Sequence, residues 1–227
     1  PTMTAAPTET PQPATPTPTD LPGSFGVILT PAANRIGWVV STEPYSNHFV
    51  SADTYTGTWD NKTYHGAMQF DLDPVPRGAH VNFARLEAIG RSTQFLGTSG
   101  TWMFQLLATG IDDGFESHGF AAIDNATVDA MLLPQLGVVQ LGAGTVNTFN
   151  FEEGDLAIIQ SRVNGSRKLS LRIDGPSSGP GSNLFTWDTG YTAESYYLGP
   201  QLTLNYSLQA PTSPPRARSS CSSTTRR

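Results

Sequence analysis

A single cysteine, Cys221, sits near the C-terminus, so no disulfide can form within the chain and packing alone must hold the fold. Charge is scarce too: Asp, Glu, Lys and Arg make up 14% of 227 residues, which argues against long solvated helices. Basic residues are the rarer sign, 13 against 19 acidic, for a net charge of −6. Four of the 13, Arg216, Arg218, Arg226 and Arg227, lie in the last 17 residues, which hold no acid; residues 1–210 therefore carry a net −10. A body of that sign repels phosphate backbones, which argues against nucleic acid as a partner. No apolar run approaches the roughly 18 residues of a membrane span, so direct membrane insertion is not expected. No signal peptide is visible and the chain starts at Pro1; the expectation is a piece whose targeting segment lies upstream or has been removed.

Turn formers are plentiful, with 22 Gly and 18 Pro. Residues 1–22 hold seven Pro and seven Thr and almost nothing to bury, so they read as an extended, disordered linker tethering a domain to covalently linked neighbours. Residues 211–227 read as a disordered Ser/Pro/Arg-rich tail. Residues 23–210 between them, roughly 185 in all, suffice for one well-buried β-sandwich module.

The stretch 64–91 organises this body. Met68, Phe70 and Leu72 alternate with Gln69 and Asp71, the period of a half-buried strand. Pro74, Pro76 and Gly78 then impose a turn. Val81, Ala84, Leu86 and Ala88 resume the alternation with a slip of one residue, which predicts a bulge or strand start near Asn82 and a hairpin-like pair over 66–72 and 82–90. Further strands are predicted over 25–30, 35–41, 101–107, 138–141, 145–151, 168–173, 184–188 and 200–206, with Leu169, Leu171 and Ile173 facing in and Lys168, Ser170 and Arg172 facing out, and with a polar, aromatic loop over 47–63 turning at 59–62. Residues 120–131 read as a short helix or a strand followed by a turn. Only residues 153–163 carry a clear helical signal: Leu156, Ile159 and Val163 recur at helical spacing, acids open the segment, and Asn164-Gly165 closes it. About ten short strands and one short helix predict an all-β fold, a two-sheet antiparallel sandwich of jelly-roll type.

The block Gly66-Ala67-Met68-Gln69-Phe70-Asp71-Leu72, then Val75-Pro76-Arg77-Gly78, then Val81, Ala84 and Leu86, resembles the DNRLRE-type jelly-roll modules of bacterial and archaeal surface proteins, a group that includes alginate-type carbohydrate-binding modules. The closing segment Gly199-Pro200-Gln201-Leu202-Thr203-Leu204-Asn205-Tyr206 resembles that family's last strand. The family shows a Trp-containing loop where this chain has Phe115 and His118, and the region 153–163 also differs, which makes this a divergent relative. The resemblance implies the fold, an extracellular or cell-surface location and a mostly non-catalytic role. It carries over no binding residues.

Motifs for catalysis are thin. Gly175-Pro176-Ser177-Ser178-Gly179 spells G-x-S-x-G, but Gly, Pro, Gly, Ser and Asn follow it where a nucleophile elbow needs a helix, and no histidine lies downstream. His48, His65, His80 and His118 form no zinc-ligand spacing; His48 and His65 flank one loop and could meet with Asp53 or Asp60 in a surface network. Asp112-Asp113 and Glu152-Glu153 are adjacent pairs, which point apart on a strand and do not by themselves make a two-carboxylate site. Jelly rolls often take a structural calcium on oxygens from several loops, and Asp53, Asp60 and Asp188 are the candidates here.

Aromatic residues in polar surroundings carry the stronger signal. Tyr55, Trp59 and Tyr64 share one polar stretch with Asp60, and Trp187, Tyr191, Tyr196 and Tyr197 another. Planar rings cover the C–H faces of sugars while nearby Asp and Asn bond the hydroxyls. Trp38 and Trp102 lie on alternating apolar faces and are assigned to the core; Trp59, beside Gly57, Asp60 and Asn61, is assigned to the surface. The expected ligand-binding residues are thus Tyr55, Trp59, Asp60, Tyr64 and Tyr191, and the expected partner a polysaccharide or other cell-surface component. Two alternatives stand beside this: a polysaccharide-degrading enzyme using carboxylates from separate loops, and a purely structural spacer without a ligand.

Overall fold

The computed structural model describes residues 23–177, 181–191 and 199–208. Thirteen strands dominate them: β1 (Ser24–Leu29), β2 (Ile36–Val40), β3 (His48–Phe49), β4 (Asp53–Trp59), β5 (Lys62–Asp71), β6 (Ala79–Ser92), β7 (Thr101–Leu107), β8 (Val128–Met131), β9 (Leu136–Gly137), β10 (Val146–Asn150), β11 (Lys168–Asp174), β12 (Asn183–Asp188) and β13 (Gln201–Leu208). Two α-helices join them, α1 (Phe120–Asp124) and α2 (Glu153–Asn164). Every pairing among the named strands is antiparallel, and the main path runs β1-β13-β6-β12-β4-β5-β11-β7-β8. The sheet curls on itself, and the all-β sandwich expected from the alternation is what forms.

The long β6 is the seam. Its first part pairs with β13 on one edge and β10 on the other, while Gly90 and Ser92 near its end pair with β12. The ladder with β13 skips Asn82, because Asn205 faces Phe83 and Tyr206 faces Val81: this is the bulge that the slipped alternation predicted. β5 and β6, however, do not pair with each other, so they are not a hairpin. β5 pairs with β2, β4 and β11, and the segment 72–78 crosses from one half of the sheet to the other. Arg167 clamps that crossing, donating to Leu72 O at 2.7 Å, to Asp73 Oδ1 at 3.0 Å, and to Val75 O.

Between the two halves lie Met68, Phe70, Leu86, Phe104, Phe149, Leu171, Phe185, Trp187, Leu202 and Leu204, all buried. Each such side chain contributes roughly 1.5–3 kcal/mol on leaving water. Helix α2 adds Ile159 and Val163 to this core, where its 3.6-residue spacing placed them.

The other face of β5, β7 and β11 departs from the half-buried expectation. Gln69, Ser170 and Arg172, read as solvent-facing, are buried. The segment 108–126 folds back over them and packs Ile111, Phe115 and Ile123 on Val39, Ala67 and Leu107. This second layer is polar at its centre. Gln69 Nε2 donates to Asp112 O and Ser170 Oγ, both at 2.9 Å, and Ser170 Oγ donates to Asp112 Oδ1 at 2.8 Å. Arg162 reaches in from α2 to Asp112 Oδ2 at 3.1 Å, Leu107 O at 2.9 Å and Asp129 Oδ2 at 2.6 Å.

Residues 53–63, expected as a polar loop, are instead a hairpin. Thr54, Thr56 and Thr58 alternate along β4 and are buried, and the two-residue turn Asp60-Asn61 has φ of +52° and +57°. Residues 138–141, expected as a strand, make a 3-10 turn over Val138–Gln140, with Val139 in solvent. Residues 120–131 hold both a short helix and a strand. Among the described residues no helix is long and apolar enough to cross a membrane. The segments 1–22 and 211–227, with Cys221, lie outside the described residues.

Candidate functional site: an aromatic strip at the end of the sheet

The β4–β5 hairpin sets out the strip. Tyr55, Gly57 and Trp59 follow each other on one face of β4, and Tyr64 stands opposite Gly57. At Gly57 φ is +112° and an added Cβ would lie 2.1 Å from Asn183 O, so only glycine allows β12 to come this close. Tyr64 stands 6.3 Å from Tyr55 between ring centroids, and Trp38 on β2 stands 5.2 Å from Tyr55 and 5.5 Å from Tyr64. His48 lies flat on Trp38 at 3.7 Å and is held by Glu43, 3.0 Å from its Nε2. Two residues beyond Gly57, Trp59 stacks on Phe95 at 5.3 Å and 27°; these rings are 41% and 37% exposed. Asp60, Asn61, Gly181 and Ser182 line a shallow hollow with Trp59.

Acidic groups fringe the strip. Burial raises the Tyr64 phenol above its ordinary value, and the charges of Asp60 and Glu43 push it further the same way. Burial likewise raises Tyr55, helped by the charge of Asp53 and a hydrogen bond to it at 3.4 Å, against a smaller opposing effect of Arg91. Both hydroxyls therefore stay protonated at neutral pH; that of Tyr55 is spent on Asp53, and Tyr64 is buried beneath the strip.

The structure thus places Tyr55 and Trp59 on one face of β4, Tyr64 across from Gly57, and Asp60 in the turn that follows. Tyr191 is elsewhere, beside Thr30, Pro31, Thr189 and Pro200 in a cavity of about 250 Å³, with its hydroxyl donating to Pro31 O. Trp187 is not in a polar loop; it is core, its Nε1 donating to Thr56 Oγ1 at 3.0 Å. Trp38, assigned to the core beside buried Trp102, is half-buried and belongs to the strip. Phe95 was not anticipated, although it lies in the polar turn Thr93-Gln94-Phe95, the same kind of setting that marked Trp59. Tyr196 and Tyr197 lie outside the described residues.

Asp53, Asp60 and Asp188 do not converge. Asp53 and Asp188 are cross-strand partners, whereas Asp60 is at the far end of β4, roughly 20 Å away along a seven-residue strand. Asp53 faces Arg91 Nε at 2.8 Å, and Asp188 accepts from Gly190 N at 2.8 Å. No cluster of three His, Cys, Asp or Glu side chains suited to a metal exists among the described residues. His65 does not meet His48 either. It is buried on the opposite face, stacked on Phe120, with Nε2 2.9 Å from Asp124 Oδ1 and Nδ1 2.7 Å from Asp174 Oδ1. No protein-family model matches the chain, and no curated protein matches it in sequence.

Proposed function

We propose that this chain is a non-catalytic, extracellular glycan-binding module that lays a polysaccharide along the strip from Trp38 to Trp59. The exposed Trp59–Phe95 pair carries the reading: two large rings kept partly in solvent forgo burial that the core would reward, beside groups that can bond hydroxyls. The Asp60 and Glu43 charges favour an uncharged glycan over a uronic acid polymer, because like charges would be brought together. The Pro/Thr-rich residues 1–22 suit display on a tether joined to neighbouring domains.

The test is affinity electrophoresis of the full chain through soluble neutral glucans and mannans, with alginate alongside. Retardation by a neutral glycan that falls about tenfold or more in Trp59→Ala, with the far-ultraviolet spectrum unchanged, is the expected result. A hit that Trp59→Ala and Phe95→Ala leave intact places binding elsewhere, and no retardation by any glycan sinks the reading.

A further inference from the structure

A second site lies along β10, an edge strand among the described residues. Its ladder to β6 fixes which backbone groups are used. Gly90 N–H donates to Thr145 O at 3.0 Å, and Phe151 N–H donates to Ala84 O at 3.2 Å. Groups on an antiparallel strand alternate between its two edges, so Thr145, Asn147, Phe149 and Phe151 face β6. Val146, Thr148 and Asn150 must face away. Asn150 confirms the phase, since it bridges to Leu133 on that side. The N–H and C=O of Val146 and Thr148 thus point outward, and no described strand pairs with them.

Those groups open onto a cavity of about 600 Å³, walled opposite by Pro134, Leu136, Val139 and Gln140. Its lining includes no charged residue. Val139 at its rim is 96% exposed, and Val146 is also exposed. Asn147, only 6% exposed, shares the face of Phe149 and lines the same cavity, and its Nδ2 has no partner among the described residues. A buried amide left unbonded is costly, and a ligand carbonyl would recover that cost.

We propose that this edge takes an extended, uncharged peptide segment of a partner protein as an added strand, bonded to the backbone of Val146 and Thr148 and to Asn147 Nδ2. Free N–H and C=O groups at strand spacing match another backbone and little else, and the neutral lining with apolar Val139 and Val146 selects uncharged side chains with an apolar residue at every second position. Natural edges are usually blunted by charge, proline or a covering element; the segment Val146–Asn150 carries none of the first two.

The probe is an N-acetylated, C-amidated Val-Thr-Val-Thr-Val peptide, titrated into the full chain and followed by backbone amide NMR and hydrogen exchange. The Val146 and Thr148 amides should exchange fast in the free chain and become protected with peptide. The same peptide N-methylated at alternate residues should bind about tenfold more weakly or worse. Thr148→Pro removes only an outward N–H, spares the β6 ladder, and should abolish protection at Val146 while the fold persists. Slow exchange of both amides before peptide is added, equal binding of the methylated peptide, or protection that survives Thr148→Pro would each overturn the proposal. So would binding of a neutral glucan here in place of the peptide.

Discussion

Three arginines do more for this fold than any surface ion pair. Arg162, Arg167 and Arg172 are buried, and each spends its guanidinium on backbone carbonyls as well as acids. Arg172 donates to Ile123 O at 2.9 Å and Asp124 O at 2.7 Å, which pins the covering segment 108–126 to β11. Arg162 does the same from α2 through Asp112 and Asp129. A buried charge cannot lose its partner cheaply, because the remaining ion stays out of water. Arg162→Met should therefore destabilise the chain by about 3–5 kcal/mol in urea unfolding, by stranding Asp112, whereas Arg162→Met combined with Asp112→Asn should recover part of that loss. A loss under about 1 kcal/mol in the single variant would show that the network contributes no more than an exposed pair. Asp71 offers the contrast. Burial pushes its carboxyl up, but the Lys168 hydrogen bond at 2.7 Å, the Asp73 N–H, and the charges of Lys168 and Arg35 more than offset this and leave it below the ordinary range. Its contribution is present above the unfolded carboxyl value, about pH 4, and fades as pH falls through the lower folded value. It is small, since Asp71 is half-exposed and water screens the pair.

At the scale of elements, the β4–β5 hairpin joins fold to site. Its tyrosines have raised folded values, so the stability they contribute is complete below the unfolded phenol value near pH 10 and is lost as pH rises through the folded values. Ultraviolet titration should show three phenols ionising late, Tyr55, Tyr64 and Tyr191, the last raised by burial alone. Tyr55→Phe and Tyr64→Phe should each remove one of them, and Asp60→Asn should move Tyr64 back toward pH 10. An unmoved Tyr64 in Asp60→Asn would mean that the acid fringe does not reach the strip. The same hairpin shows what a linear pattern can reveal. The turn at Asp60-Asn61 was legible because these residue types tolerate positive φ, and Trp59 because its neighbours are polar. The strand itself was not, since Thr54, Thr56 and Thr58 read as polar loop, although β-branched residues at every second position suit a strand. Trp38 was misplaced because Ile36 and Val40 share its alternation; only the first of these reaches the main core. Gln69, Ser170 and Arg172 read as outward for a related reason. Period two separates two faces but cannot say that a segment 108–126, distant in sequence, will cover the second one. Which strands pair is equally hidden, and so the crossing at 72–78 looked like a hairpin turn.

For the whole molecule, the consequence of one curled sheet is cooperativity. β6 belongs to both halves of the sandwich, and its Leu86 lies between Phe149 on β10 and Leu202 on β13 while packing in the common core. Neither half can keep its inner face dry once the other leaves, because both bury the same cluster, and no disulfide within the chain can hold a remnant together. Unfolding in urea should then be a single transition, with backbone ellipticity and the fluorescence of buried Trp102 and Trp187 sharing one midpoint. Leu86→Ala should move that shared midpoint down by the equivalent of about 2–5 kcal/mol, since a fully buried leucine leaves a cavity that the ladders on either side resist closing. Exchange protection in β13 and in β11 should fall together in this variant. If the ellipticity and fluorescence midpoints separate, or if protection falls in β13 while β11 keeps its own, the seam does not couple the halves and the sandwich is two sheets that merely touch.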